Sequence, residues 1–211
     1  MRDFSQDHHW LSINTATVRK SRGQDLPLPQ IIEACVARGI RAIAPWRDQV
    51  HAAGLDVVSG LVKAHGLQLS GYCRGGMFTA SDGQGLQAAL DDNRRALDEA
   101  CELGADCLVL VVGALPGALE GRAAHKDIAR ARAQVQDGIA ALLEHARAQR
   151  MPLAIATSPI ALSLRMRIRG AAIASGSADI GYSALTPTLI AREQGQPSQC
   201  TARWALSRPA T

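Results

Sequence analysis

Two short polar stretches of the chain carry groups that could bind an oxygen-rich or anionic molecule. Trp46 and Arg47 follow one short apolar run, and Cys73, Arg74 and Gly75 follow another. Arg47 could hold a substrate oxygen or a phosphate, while Trp46 could form the wall of a pocket. Arg74 adds a second donor, and the glycine pair that begins at Gly75 can present backbone N–H groups to an anion. These five residues are the candidate substrate-binding site.

Each of these stretches also has an interpretation without function. Arg47 could pair with the neighbouring Asp48 over a packed tryptophan, and the glycine pair could simply permit a tight turn. The pair His8-His9 is interpreted as non-ligating, because neighbouring residues in a polar leader seldom converge on one metal ion. Both interpretations of the two polar stretches remain open from the sequence.

The elements that would position these residues form a repeated strand–helix pattern. Apolar runs predict strands near residues 11–15, 40–45, 67–73, 106–113 and 151–155. Amphipathic stretches predict helices that begin at Pro29 and that cover about 55–65, 82–103 and 125–148. Repeated strand–helix units imply parallel strands with right-handed crossovers, so the predicted class is α/β. Residues 46–49 and 74–77 are predicted as loops at the carboxyl ends of strands, where such folds place their chemistry.

The run 106–113 is the predicted central strand. It is apolar without interruption and β-branched at Val109, Val111 and Val112. A strand with one wet face would alternate apolar and polar residues, so both faces of this strand are expected to be covered.

The length of the repeat limits how much of a closed barrel the chain can contain. Four units occupy about 141 residues, and eight of them would need about 280, within the usual size of an eight-stranded barrel. Only 58 residues remain after Leu153. The prediction is therefore a partial barrel of four units plus a fifth strand in residues 1–155, followed by an atypical tail in residues 156–211.

Charge and composition separate the tail from the rest. Residues 1–153 carry 17 Lys+Arg and 17 Asp+Glu, whereas residues 154–211 carry six Arg and only Asp179 and Glu193 as acids. Because the basic excess lies only in the tail, a nucleic-acid partner is not expected. The sequence has no apolar run of membrane-spanning length, and the start lacks the apolar core of a signal peptide. Five scattered cysteines fit a reducing cytoplasm.

Six motifs occur in an order and at a spacing that are typical of one known family. They are Leu11-Ser-Ile-Asn-Thr15, Ala44-Pro-Trp-Arg-Asp-Gln49, Cys73-Arg-Gly-Gly-Met-Phe78, Asp91-Asp-Asn-Arg-Arg-Ala96, Cys107-Leu-Val-Leu-Val-Val-Gly113 and Pro152-Leu-Ala-Ile155. They resemble the sugar phosphate isomerase/epimerase family, which has the xylose isomerase-like TIM barrel fold. The resemblance covers about residues 10–155 and implies a divalent metal (Mn, Mg or Zn) and two carboxylates that move a proton beside the carbonyl of a sugar or sugar phosphate.

The resemblance also implies a Glu after the fifth strand, in a Glu-Pro-Leu-His sequence, as metal ligand and base. Here the strand is followed by Ala156-Thr-Ser-Pro159, and no His occurs after residue 155. We therefore expect no recognisable metal ligands or catalytic residues, and an inactive chain whose tail arose by a change of reading frame near codon 156. Two alternatives are a small α/β binding module without catalysis and a half-barrel that forms a homo-oligomer.

Overall fold

Strands and helices alternate through residues 8, 11–21, 23–112, 127–157 and 188–191, which are the residues that the computed structural model describes. A 3-10 turn, Thr15–Val18, follows the first strand. The helices are α1 (Leu28–Val36), α2 (Arg47–Ala53), α3 (Leu55–His65), α4 (Gly83–Leu103) and α5 (Ile128–Ala148). The strands are β1 (Ser12–Asn14), β2 (Lys20–Ser21), β3 (Gln24–Asp25), β4 (Ala42–Ala44), β5 (Gln68–Leu69), β6 (Tyr72–Gly76), β7 (Leu108–Val112), β8 (Leu153–Thr157) and β9 (Thr188–Ala191).

Five consecutive strand positions of the sheet run parallel, as the repeated units predicted. Strands β1, β4 and β5 pair in parallel, and so do β6, β7 and β8. The amide of Cys73 donates to the carbonyl of Pro45 at 2.9 Å, so β5 and β6 together form one strand position beside β4. On the far side β9 pairs with β8 in the antiparallel direction.

The hydrophobic core lies between the sheet and the helices. Leu108, Leu110 and Val112 of β7 are almost fully buried on this side, whereas Val109 and Val111, which point to the other side, are half-buried. The expectation that both faces of β7 are covered is therefore only partly met. Among the described helices, none has the length and apolar character of a membrane span.

The predicted helix bounds agree best with the structure where a helix ends at a glycine. Helix α3 has the predicted bounds, and Gly66 ends it with φ 62°. Helix α4 begins at Gly83, where the Asp82 side chain accepts from the amide of Gly85, and ends before Gly104 with φ 71°. Glycine adopts such left-handed angles without a Cβ penalty, which explains why it stops both helices.

Two predicted loops are regular structure instead. The segment 46–49 was predicted as a loop, but Trp46 is the N-cap of α2 and Arg47 is its first residue. This seven-residue helix is too short to show a periodic pattern, and its contacts with α4 stabilise it. Arg74 and Gly75, also predicted in a loop, belong to β6, where the pairing with β7 shifts register between Cys73 and Gly75.

The predicted tail lies largely outside the described residues. Of residues 156–211, only 156, 157 and 188–191 are described. The boundary at residue 155 and the origin of the tail therefore stay predictions.

Candidate functional site

The carboxyl ends of β1 and β4 meet at Trp46. Its backbone N–H donates to the Thr15 hydroxyl at 3.2 Å, and its indole N–H donates to the Asn14 side-chain oxygen at 2.8 Å. Thr15 is fully buried, and its hydroxyl donates to the Gln49 side chain at 2.5 Å. The ring of the tryptophan is thus attached to the last residue of β1, and its backbone to the first residue of the 3-10 turn that follows.

A cation lies over the ring of Trp46. The Arg19 guanidinium carbon is 5.2 Å from the ring centroid, within the range of a cation–π contact. Two hydrogen bonds of 2.5 and 2.8 Å join this guanidinium to the carboxylate of Asp48. The hydrogen bond from Arg19 is the main reason that the pKa of Asp48 lies below its ordinary value. Asp48 therefore pairs with Arg19, and not with Arg47 as one interpretation of the sequence supposed.

Arg47 is held by the acidic side chains of α4. Its Nε and Nη2 donate to the two oxygens of Glu99 at 2.8 and 2.9 Å, and its Nη1 donates to Asp92 at 2.8 Å. The guanidinium is 11% exposed and Glu99 is 18% exposed. All three nitrogens of the guanidinium therefore have carboxylate partners in a largely buried ion pair.

Two further side chains complete this cluster around Glu99. The Tyr72 hydroxyl donates to Glu99 at 2.8 Å, and His51 lies 3.1 Å from the same oxygen. Burial raises the pKa of Tyr72, and its hydrogen bond to Glu99 raises it further. For Glu99, burial acts to raise the pKa, but the hydrogen bonds from Arg47 and Tyr72 outweigh it and leave the pKa below its ordinary value. The carboxylate is thus held ionised between three elements, α2, α4 and β6.

Cys73 lies on the opposite face of β6 from Tyr72, because successive strand residues alternate. Its thiol is 4% exposed, and burial raises its pKa to about 11. Cys107, on the neighbouring strand position, has a pKa raised to about 12 by burial and then by Cys73. Both thiols are therefore protonated at neutral pH, which makes them poor nucleophiles and poor metal ligands.

Arg74 and Gly75 occupy the register shift of β6. A Cβ at Gly75 would lie 2.7 Å from a methyl group of Leu110 and 3.2 Å from the Asn93 side chain, so glycine permits close packing here. The next residue, Gly76, has its N–H bonded to Asn93. Only the backbone of Arg74 is described, and its side chain lies outside the described part.

Sequence reasoning missed four residues that shape this region: Asp92, Asn93, Glu99 and Gln134. None of the four was among the candidate site residues. Asn93 and Gln134, 1% and 9% exposed, have a sequence signal, because each is a polar residue on the apolar stripe of an amphipathic helix. Asp92, with a side chain 51% exposed, does not. Buried polar side chains of this kind are expected to have hydrogen-bond partners.

Comparison with known proteins assigns the chain to a family. The family described as xylose isomerase-like TIM barrel matches residues 32–159, more than half of the chain. The chain belongs to this family. No curated protein sequence matches it significantly.

Solved structures share the fold of this xylose isomerase-like chain. Protein SMc04130 of Sinorhizobium meliloti 1021 is 54% identical, with a TM-score of 0.62 over 69% of this chain and 49% of that one. IolI with a bound zinc atom is 16% identical, with a TM-score of 0.55 over 69% and 50%. A D-psicose 3-epimerase crystallised in the presence of D-fructose is 14% identical, with a TM-score of 0.51 over 67% and 50%. The chain spans about half the length of these structures.

The described residues do not fit the metal that members of the xylose isomerase-like family often bind. Within the described ranges, no group of three His, Cys, Asp or Glu side chains could hold a metal ion. Ala156, opposite Val111 near the end of β8, has a methyl group where the resemblance implies a carboxylate. A methyl group has no lone pair for a metal and no site for a proton.

Proposed function

We propose that this chain binds a sugar or a sugar phosphate at the carboxyl ends of its parallel strands and does not isomerise or epimerise it. The observation that carries the proposal is Trp46, which is fixed at this end by Asn14, Thr15 and Arg19. A fixed aromatic ring can pack against the C–H face of a sugar at little entropic cost. Membership of a family with epimerase neighbours supports the ligand class.

The other predicted site residues differ in what they can offer. Arg47 would contact a ligand only by breaking a hydrogen bond to Glu99 or Asp92. We therefore propose that the role of Arg47 is to position the neighbouring Trp46. Cys73 would contribute a neutral thiol, and the backbone N–H of Gly76 is already taken by Asn93. Arg74 and Gly75 remain proposed contacts of the bound sugar.

The proposed lack of catalysis follows from the chemistry of proton transfer beside a carbonyl. Such a reaction needs acid and base groups near the substrate carbon, and the family reaction also uses a divalent metal to polarise the substrate oxygens. At the end of β8, Ala156 supplies neither. Glu99 and Asp92 are engaged with Arg47 and therefore do not replace the missing carboxylates.

An activity assay tests the absence of turnover. Purified chain is incubated with D-fructose and with Mn²⁺, Mg²⁺ or Zn²⁺, and the formation of epimers is followed by chromatography. We expect no product above the rate without protein. Turnover that requires a metal and stops on addition of a chelator would overturn the proposal.

A binding assay tests the sugar site separately. We expect D-fructose to bind weakly to the wild-type chain and at least fivefold more weakly to Trp46→Ala, measured by saturation-transfer NMR. Val57→Ala is the matched control, because Val57 is an exposed apolar residue of α3, 52% accessible. Equal binding by all three proteins, or none by the wild type, would contradict a sugar site at Trp46.

We also propose a cellular compartment and an oligomeric state for the chain. In the part of the chain that the structure describes, Cys35, Cys73 and Cys107 form no disulfide, which supports a reducing compartment such as the cytoplasm. A homo-oligomer remains proposed as well, since half of a barrel leaves sheet edges that can pair with another chain. Light scattering of the purified chain distinguishes a monomer from such an assembly.

A further inference from the structure

The loop 77–82 follows the carboxyl end of β6, the strand that pairs with Trp46 through Cys73. Buried amide side chains of two helices bind Gly76, which precedes the loop, and Ala80, which lies within it. We propose that Asn93 and Gln134 are positioning residues that hold this loop as a fixed wall of the sugar site. The inference rests on the proposed function for the identity of the ligand. The attachment of the loop rests on hydrogen bonds within the described residues.

Asn93 of α4 binds both backbone groups of Gly76, where β6 ends. Its side-chain oxygen accepts from the Gly76 N–H, and its amide nitrogen donates to the Gly76 carbonyl, both at 2.5 Å. The same nitrogen donates to the carbonyl of Ala89 at 2.8 Å. An amide has two donor hydrogens, so both are matched, as a side chain only 1% exposed requires.

The backbone at this point has a conformation that few residues adopt. Gly76 has φ 102° and Met77 has φ 57°. A Cβ at Gly76 would overlap the backbone of Val111, so only glycine fits there. A methionine in the left-handed region is not locally favoured, and such angles persist when surrounding contacts impose them. The bonds from Asn93 are such contacts.

Gln134 of α5 repeats the arrangement at the middle of the loop. It accepts from the N–H of Ala80 at 3.2 Å and donates to the carbonyl of the same residue at 2.9 Å. Arg130, on the same helix, donates to the carbonyl of Ser81 at 3.1 Å. The buried ring of Phe78 packs against Gly138 of α5, where an added Cβ would overlap the ring.

These hydrogen bonds favour a fixed wall over a lid that moves when a ligand binds. Helix α4 binds Gly76, the residue just before the loop, and helix α5 binds Ala80 within it, each through both the N–H and the carbonyl. A lid that closes over a ligand must break and reform such bonds. A loop already held in place lowers the entropic cost of binding, because the ligand does not have to order it.

Amide hydrogen exchange of the full chain tests the attachment. We expect Asn93→Ala to accelerate exchange at Gly76 at least tenfold, and Gln134→Ala to do the same at Ala80, relative to amides of α3. Gln87→Ala is the matched control, because Gln87 is an exposed amide of α4 that bonds to Asp91 in its own helix. Val62→Ala controls for general destabilisation. Loop rates that stay unchanged, or that rise only in proportion to α3, would overturn the proposal.

Measurements with D-fructose distinguish a fixed wall of the sugar site from a mobile lid, and from a loop with a purely structural role. With the wild-type chain, saturating sugar should change exchange at Gly76 and Ala80 by less than twofold, and a larger slowing would show a lid. Asn93→Ala should weaken sugar binding at least fivefold at a temperature where Val62→Ala, equally folded, binds normally. Normal binding by Asn93→Ala would remove the loop from the site. If the wild-type chain binds no sugar, the proposed function fails, while the exchange rates still decide whether the amides hold the loop.

Discussion

At the scale of single residues, the ion pair of Arg47 and Glu99 illustrates how a candidate ligand becomes a structural contact. The guanidinium meets the carboxylate through two nitrogens, an arrangement that is both strong and directional. Burial of two opposite charges stabilises the protein only when their hydrogen bonds are satisfied, and here Asp92 and Tyr72 contribute the remaining partners. The cluster therefore fixes α2, and with it Trp46, against α4.

Glu99→Gln should lower the free energy of unfolding by about 2–3 kcal/mol at pH 7, because Arg47 loses its main charged partner. The effect should depend on pH. The folded-state pKa of Glu99 lies below the ordinary value of about 4.5, so its contribution is present above that value and is lost as pH falls through the folded-state pKa. Urea unfolding at a series of pH values from 7 to 3 measures both effects.

The control for this prediction is Glu102→Gln, at an exposed position of the same helix. It should change stability at pH 7 by less than about 0.5 kcal/mol. The difference between the wild type and Glu99→Gln should shrink as the pH approaches 3. A constant difference across the series would show that the Glu99 charge contributes nothing.

At the scale of elements, α4 holds the site region together. One side of this helix carries Asp92 and Glu99, which reach α2, and Asn93, which reaches the end of β6. Ala96 and Leu97 of the same helix are fully buried in the hydrophobic core. The helix therefore combines apolar packing with three polar side chains that position α2, which begins after Trp46, and β6, which ends at Gly76.

Two helical glycines provide a matched pair of substitutions. Gly138→Ala, in α5, should lower the free energy of unfolding by about 1–3 kcal/mol, because the new Cβ would overlap the ring of Phe78. Gly60→Ala, in α3, should raise it by about 0.5–1 kcal/mol, because nothing lies within 4 Å and alanine favours a helix. Thermal unfolding of both variants measures the difference. Stabilisation by both would mean that Phe78 does not pack against α5 as described.

At the scale of the whole molecule, the parallel strands from β1 to β8 follow the strand order of the first part of a TIM barrel. Four neighbouring pairs of strand positions are parallel, and the chain covers about half of the structures it resembles. A further barrel strand beside β8 would run parallel to it. The strand that pairs there, β9, runs antiparallel and therefore does not continue the repeat.

We predict that residues from 156 onward are read in a different frame from the one that encodes the family sequence. The family match ends at residue 159, four residues past Ile155, and does not extend into the rest of the tail. If Ala-Thr-Ser-Pro is encoded as GCA ACC TCT CCA, removal of the second nucleotide gives GAA CCT CTC, which encodes Glu-Pro-Leu, the motif that the resemblance implies. Reading the other two frames of the gene from codon 156 tests this. A native tail is the correct conclusion if neither frame encodes Glu-Pro-Leu followed by strand–helix units with Asp, His and Glu.

Local signals in the sequence determined the order of the strands and the long helices. Periodic apolar residues and stop glycines act over a few residues, which is why α3 has its predicted bounds and α4 begins within one residue of its prediction. The parallel direction followed as well, since strands separated by helices need crossover connections. The placement of Trp46 at the carboxyl ends of the strands was predictable for the same reason.

Tertiary structure alone decided which partner each polar side chain meets. Arg47 is 52 residues from Glu99 and one residue from Asp48, yet it pairs with the distant acid. The packing of α2 against α4 sets that choice, because it buries the guanidinium against the α4 carboxylates, while Arg19 engages Asp48. Gln134 and Ala80 are 54 residues apart and meet for the same reason. Sequence patterns report local periodicity, whereas such pairings depend on how helices from separate units pack on one sheet.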